Sequence, residues 1–212
     1  MLLGMPGVGK GTQAVALCQR LGVAHVSTGD ILRQAVASAS ALGRQAKSHM
    51  ESGALVPDEL VEELVVERLG RADARPGFVL DGFPRTVEQV AMLDRILGRL
   101  GHGLDRAILL VAAPGEIVRR LGGRRVCPRC DRVYHVDHQP PRSPGVCDQC
   151  GSALVQRADD AEPVVHERLE VYARQTLPIV ESYRSRGLLR EIDATGDPSE
   201  VTGRVLAAVG QA

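Results

Sequence analysis

Tryptophan is absent from this 212-residue chain, and only two Phe and three Tyr stand within a hydrophobic fraction of 44%. The core must therefore be aliphatic, and a bound heterocycle would have to lie against guanidinium planes and aliphatic side chains. Aromatic platforms on which nucleic-acid bases stack are missing as well. Net charge is also missing: 26 basic residues balance 26 acidic ones, so no global field draws the chain to polyanions or to an anionic membrane surface. No apolar run approaches the roughly 20 residues that span a bilayer. Met1-Leu2-Leu3-Gly4 has no basic flank and no cleavable signal pattern. Together these absences predict a cytoplasmic protein with neither a membrane nor a nucleic acid as partner. Lysine is scarce too: Lys10 and Lys47 are the only two among the 26 basic residues, the rest being arginine.

One of those lysines lies in the most informative stretch, Gly4-Met5-Pro6-Gly7-Val8-Gly9-Lys10-Gly11-Thr12. The glycines let the backbone wrap an anion with successive N–H groups turned inward. Lys10 adds a full positive charge, and the helix expected to follow adds the positive end of its dipole. Such a loop is built to hold the β- and γ-phosphates of a nucleotide. The general pattern G-x-x-x-x-G-K-[S/T] is met through Lys10, but Gly11 takes the hydroxyl position and Thr12 lies one further on. A plain glycine turn between strand and helix is the alternative.

The length fits one domain of ordinary size with insertions. Short apolar runs at 2–3, 24–26, 78–80, 107–111 and 188–192 read as strands. Amphipathic stretches at 11–21, 30–39, 57–69, 87–100, 114–121, 162–184 and 198–209 read as helices. Pro57, Pro114 and Pro198 mark first helical positions, the last behind Asp197 as cap. This alternation predicts an α/β fold: a parallel sheet covered on both faces by helices, with ligands at the carboxyl ends of the strands. The first strand is very short, which leaves room for a natural chain that starts further upstream. Two segments break the alternation. Residues 27–56 hold two short helical stretches with no strand between them. Residues 123–160 are rich in Pro, Gly, Cys and Arg, lack a long helical period, and follow a hinge candidate at Gly122-Gly123. Both read as inserts on a core made of 1–26, 57–122 and 161–212.

Four of the five cysteines form two pairs, Cys127-x-x-Cys130 and Cys147-x-x-Cys150. Thiols stay reduced in the cytoplasm, so pairs of this spacing point to a zinc ribbon before a disulfide. Four thiolates complete a tetrahedron and leave no open position, so the Zn²⁺ would be structural. A disulfide pair is the alternative, and His135 or His138 could replace one sulfur. The insert is poor in large apolar residues, and metal binding on the order of 10 kcal/mol would stand in for a core. Cys18 reads as a small buried hydrophobe.

Two further motifs carry chemistry. Asp81-Gly82-Phe83-Pro84-Arg85 follows a strand directly, and Thr86 and Gln89 extend it to D-G-F-P-R-T-x-x-Q. A carboxylate at a strand's carboxyl end, facing a phosphate loop, suits a metal-bound water near the phosphates; Asp-Gly is also a common turn pair. Ser27-Thr28-Gly29-Asp30-Ile31-Leu32-Arg33 ends a strand, with Thr28 or Asp30 as a helix cap and Arg33 as a surface residue in its plain reading. Asp159 and Asp160 either orient nearby arginines or open the next helix at its favourable end.

With these motifs in this order, the sequence resembles the nucleoside monophosphate kinases, and most closely the adenylate kinase family of the long-lid type, over essentially the whole chain. The resemblance implies reversible transfer of the γ-phosphoryl of ATP to AMP with Mg²⁺, giving two ADP, in a monomer. It implies that Gly7, Val8, Gly9, Lys10, Gly11 and Thr12 hold the ATP phosphates. Arg120 and Arg124 would face ATP, Val133 and Tyr134 would touch it from the lid, and Gly196 would meet its adenine through the backbone. On the acceptor side, Thr28 would lie near the AMP base and Arg33 on its phosphate. Ala54, Leu55 and Val56 would line the base pocket, Ala54 being shorter than its counterpart in many relatives. Gly82, Phe83, Pro84 and Arg85 would hold AMP, and Gln89 would bond the adenine edge. Arg157 and Arg168 would bridge the two phosphate chains. The catalytic set would be Lys10, Arg85, Arg124, Arg157 and Arg168, with Asp81 holding Mg²⁺ through water. Residues 27–56 would bind the monophosphate, and 123–160 would be a lid, which carries zinc in some members. Several fixed cations are needed because phosphoryl transfer crowds negative charge, and guanidinium forks suit phosphate. GTP as donor, or UMP or CMP as acceptor, are the alternatives within this class; Thr28, Gln89 and the long lid favour AMP. A zinc-ribbon nucleic-acid-binding protein is the alternative outside it, against which the neutral charge and few aromatics weigh.

Overall fold

Short strands buried on both sides organise the molecule. The computed structural model describes residues 1–210, so the last two residues of the segment 161–212 lie outside the described residues. Its strands are β1 (Leu2–Leu3), β2 (Ala24–Ser27), β3 (Phe78–Asp81) and β4 (Ala107–Val111). A two-stranded excursion, β5 (Arg124–Val126) and β6 (Val133–His135), precedes β7 (Leu189–Asp193). Five of them form one parallel sheet in the order β2-β3-β1-β4-β7, while β5 and β6 pair antiparallel on their own. Leu3, Val26, Leu80 and Leu109 enter one apolar cluster; Leu2, Val79, Ile108 and Leu110 enter another. Successive strand residues point to opposite faces, so both faces of the sheet are buried.

The helices are α1 (Lys10–Leu21), α2 (Thr28–Ala37), α3 (Ala41–Ser52), α4 (Asp58–Leu69), α5 (Val87–Leu100), α6 (Pro114–Gly123), α7 (Glu162–Val171), α8 (Ile179–Ser185) and α9 (Pro198–Gly210). Leu64, Val65, Leu93, Ile96 and Ile179 bring α4, α5 and α8 onto the first face. Leu17, Ile117, Leu121 and Val205 bring α1, α6 and α9 onto the second. The connection from β1 leads towards β2, whereas that from β3 crosses to β4. The chain therefore reverses direction beside β1, and a crevice opens at the carboxyl ends of the strands.

The expected α/β architecture is present, with local differences. The helix expected over 162–184 is broken: α7 ends at Val171, a π-helical turn covers Tyr172–Thr176, and α8 starts after Pro178. Pro178 has no amide hydrogen and its ring crowds the carbonyl one turn back. The ladder slips by one residue, and the Leu177 amide donates to the Tyr172 carbonyl at 2.8 Å. Ser27, rather than Thr28 or Asp30, caps α2, its hydroxyl accepting from the Asp30 amide at 3.2 Å. Pro57 is the cap residue of α4 and not its first helical residue, while Pro114 and Pro198 open their helices as expected. Asp197 accepts from the Ser199 amide at 2.8 Å, which makes it the cap of α9. No helix among the described residues is long and apolar enough to cross a membrane.

Tyr183 on α8 is fully buried, yet its hydroxyl has no hydrogen-bond partner among the described residues. A buried hydroxyl left unpaired costs about 1–3 kcal/mol. Tyr183→Phe is therefore expected to melt at the same or a higher temperature than the parent chain. A clear fall in melting temperature by calorimetry would contradict this.

Candidate active site

Glycine shapes the loop between β1 and α1. Gly7 has φ +81°, and a Cβ there would sit 2.6 Å from the Leu121 side chain; Gly9, at φ +108°, is the N-cap of α1. No side chain caps this helix, so its first amides face the hollow of the loop. Lys10 folds back over them, its Nζ donating to the Gly4 and Met5 carbonyls at 2.7 and 2.9 Å. Burial pushes the ammonium down to about 7; Asp81 works against this, while Arg85, Arg168 and Arg124 add to it. Such a shift marks first a dry hollow, and second one ringed by cations that a polyanion would complement.

Asp81 is buried at the end of β3, whose pairing sets Asp81 opposite Leu2 of β1. A Cβ on Gly11 would lie 3.4 Å from Asp81 Oδ2, so this carboxylate faces the phosphate loop. His25 Nε2 is 3.7 Å from the same oxygen.

Carboxylates hold the guanidinium groups in place. Asp160, 2% exposed, takes a two-point ion pair from Arg124, with Nε to Oδ2 at 2.7 Å, and shares Oδ1 with Arg168 at 3.3 Å. Arg168 Nη1 also reaches Asp159 Oδ2 at 3.0 Å and the Asp159 carbonyl at 2.7 Å. The cap residue of α7 is Ala161, which makes no side-chain cap bond. Asp159 and Asp160 therefore orient arginines rather than open the helix. Asp30 pairs with Arg33 and lies 4.0 Å from Arg157. Burial alone would push the Asp30 carboxyl up, but Arg33, Ser27 and Arg157 hold it below the usual carboxylate range. Burial, then Arg168, pushes Arg85 down to about 10; burial, then Arg33 and Arg124, does the same for Arg157. The five cations expected to be catalytic thus share one electrostatic field.

Beside that field a cleft is lined by Thr28, Arg33, Ala54, Leu55, Val56, Gly82, Arg85, Gln89 and Arg168, all expected on the acceptor side. Gly29 and Leu32 of the Ser27–Arg33 motif and Asp159 also line it, together with Met50, Gly53 and Val61, which carried no signal in the sequence. Phe83, Pro84 and Arg157 are not among its lining residues; Phe83 is buried in the core below. Arg85 Nε donates to the Gly82 carbonyl at 2.8 Å. Gln89 is buried, accepting from the Arg85 amide at 2.7 Å and donating to Asp58 at 2.6 Å. Thr86 caps α5 through the Gln89 amide at 3.1 Å and donates to Asp58 at 3.2 Å. The T-x-x-Q unit is thus a variant capping box braced by Asp58. In the sequence, Asp58 looks like an ordinary acidic residue of a first helical turn.

On the other flank, Arg120 donates to the Val8 carbonyl at 3.2 Å and the Ala194 carbonyl at 3.0 Å, and pairs with Glu116 at 2.8 Å. It ties the phosphate loop to the turn holding Gly196, whose φ is +92°. In the 123–160 insert, Val133 is 41% exposed, whereas Tyr134 is 3% exposed and turned inward. Gln34 on α2 donates to Asp131 at 3.4 Å, so the two inserts touch.

All four paired cysteines are free thiols, and their sulfurs lie within 4.8 Å of one another. Separations of 3.3, 3.5 and 3.7 Å suit a tetrahedron of thiolates, whose edges are about 3.8 Å for zinc–sulfur bonds of about 2.3 Å. The residues fit a four-thiolate ion and not a disulfide. His135 is engaged elsewhere, its Nδ1 accepting the Asp137 and His138 amides at 3.1 and 3.2 Å. Gly122 and Gly123 form the last turn of α6. A Cβ on Gly123 would lie 2.3 Å from His135 Nε2, so its smallness lets that ring pack.

The profile of the adenylate kinase family matches residues 2–188. The adenylate kinase of Citrifermentans bemidjiense is 49% identical over 209 residues, covering 99% of this chain and 98% of the relative. Those of Acidothermus cellulolyticus and Moorella thermoacetica are each 50% identical, over 99% and 100% of this chain and 96% of each relative.

Proposed function

The chain belongs to the adenylate kinase family, and we propose that it catalyses by positioning and charge compensation alone. It is a phosphotransferase, a nucleoside monophosphate kinase that moves the γ-phosphoryl of ATP to AMP, reversibly, giving two ADP. The observation that carries the mechanism is the shared field of Lys10, Arg85, Arg124, Arg157 and Arg168 beside Asp81. A phosphate oxygen of AMP is already a competent nucleophile, so no covalent intermediate is required. The transferred group spreads negative charge over its oxygens, and fixed cations aimed at those oxygens lower the barrier.

In this reading residues 7–12 hold the donor phosphates, and Lys10 leaves its two carbonyls to follow the transferred group. Arg120 and Gly196 flank the donor base, with Val133 and the backbone of Tyr134 above it. Thr28, Arg33, Ala54, Leu55, Val56, Gly82 and Gln89 surround AMP, while Phe83 and Pro84 shape the turn beneath it. Asp81 would hold a water of the Mg²⁺ that accompanies ATP, whose charge offsets that of the β- and γ-phosphates when bound. Cys127, Cys130, Cys147 and Cys150 would hold a structural Zn²⁺. Residues 27–56 and 123–160 act as the two closing inserts, meeting through Gln34 with Asp131 and Asp30 with Arg157, so that water, the competing nucleophile, is shut out.

A coupled assay of ADP formation, pairing ATP or GTP with AMP, UMP, CMP or GMP, tests the assignment. ATP with AMP is expected to give the fastest turnover. A faster reaction with GTP, or with another monophosphate, would overturn it.

A further inference from the structure

Away from the nucleotide clefts, the lid has a small core of its own. Cys127, Tyr134 and Cys147 are buried in it, with Cys130, Cys150 and Leu154 packed against them. Tyr134 stands on β6, and the two-residue period of the strand turns it inward while its neighbour Val133 faces outward. Its oxygen accepts the Asp148 amide at 2.8 Å and lies 3.5 Å from the Cys147 sulfur. A phenol has one proton to give. With the Asp148 N–H occupying the oxygen's acceptor side, that proton is directed at the sulfur. Asp148 follows Cys147 in the chain, so the same short turn supplies both the amide that orients the hydroxyl and the sulfur that receives its proton. The Ser152 hydroxyl lies 3.5 Å from the Cys150 sulfur.

We propose that Tyr134 is an outer-sphere donor to the lid's thiolate metal centre, its O–H hydrogen bonding the Cys147 sulfur and fixing it in the tetrahedron. The inference rests on reading the four cysteines as a metal site. Four thiolates around a divalent ion leave two net negative charges in a pocket with few polar groups. A hydrogen bond donated to a sulfur offsets part of that charge and holds the ligand in its direction. Without it, the Cys147 thiolate is a stronger nucleophile on a less constrained turn, and the ion is given up more readily. The side chain of Tyr134 therefore serves the metal, which in turn clamps the strand that presents Val133 on its outer face.

The test is Tyr134→Phe in the full chain, which keeps the ring and removes only the hydroxyl. Zinc content is measured by mass spectrometry, and retention is then measured against a chromogenic chelator. The parent chain is expected to hold one zinc, and the variant to lose it to about 10- to 100-fold less chelator. In cobalt-loaded protein, the sulfur-to-metal charge-transfer band of the variant is expected at longer wavelength, because an unbonded thiolate is the better electron donor. That spectrum reads the loaded fraction, so it decides the matter even if the variant folds poorly. Tyr183→Phe, which removes a buried hydroxyl with no partner among the described residues, is expected to leave both readings unchanged. Equal retention and an unmoved band for Tyr134→Phe would overturn the proposal and leave the metal site standing. A parent chain that binds neither zinc nor cobalt would overturn both.

Discussion

Lys10→Met is expected to slow phosphoryl transfer at least ~100-fold and yet melt at or above the temperature of the parent chain. Loss of one donor aimed at developing phosphoryl charge costs about 10²–10³ in rate, and Lys10 is the only ammonium in the cluster. Stability should move the other way. The Lys10 ammonium is buried, held by two carbonyls, and crowded by Arg85, Arg168 and Arg124, which together with burial bring it to about 7 from an ordinary 10.5. Between those two values the unfolded chain binds more protons than the folded one, so stability contributed at this site rises with pH across that window. Below about 7 the full penalty is present, and Met removes it. The melting advantage of Lys10→Met should therefore be largest below pH 7 and shrink as pH approaches about 10. The same shift predicts that donor binding above pH 7 takes up a proton and weakens as pH rises. A variant that retains the parent's turnover, or that is destabilised most at low pH, would contradict this account of Lys10.

Replacing Cys147 and Cys150 with Ala, or stripping metal with a strong chelator, is expected to lower the melting temperature by on the order of 10 °C. The rate at moderate temperature should fall less. Around the four cysteines, Tyr134 and Leu154 alone among the described residues supply further apolar packing, so the lid has little to hold it once the ion is gone. A structural four-thiolate site contributes on the order of 10 kcal/mol to folding of such a segment. Chemistry is less affected because the cations Lys10, Arg85 and Arg168 sit on core elements; Arg124, at the root of the lid, is held by Asp160. Calorimetry and initial rates on the same samples separate the two effects. Identical melting with and without chelator would show that no such ion supports the lid.

Much of this was legible because the relevant signals are local. Short apolar runs and proline-marked helix starts locate the sheet and its cover, and the phosphate loop is a contiguous string of residues. The break at Tyr172–Thr176 escaped notice because the apolar pattern runs through it, although Pro178 was a visible cause. Other features depend on contacts distant in sequence. Asp160 meets Arg124 across 36 residues, Asp58 meets Gln89 across 31, and Gln34 meets Asp131 across 97. No spacing rule reports such pairs. Tyr134 shows the limit most clearly: the resemblance implied a contact with the donor, but which face of β6 turns to the sulfurs follows from how the two knuckles fold around it. In the sequence Gly122-Gly123 stands out only as a hinge candidate, and the close packing of the His135 ring on Gly123 is visible only in the fold.

The claim on which all of this depends is that one cleft grips two nucleotides at once, phosphate to phosphate, through Lys10 and the gathered guanidiniums. Calorimetric titration with two adenosines joined through five phosphates, in the presence of Mg²⁺, measures that grip directly. Saturable binding of one such molecule per chain is predicted, weakened about 100-fold or more in Lys10→Met. Absence of saturable binding to the parent chain, or equal binding to Lys10→Met, would contradict the account.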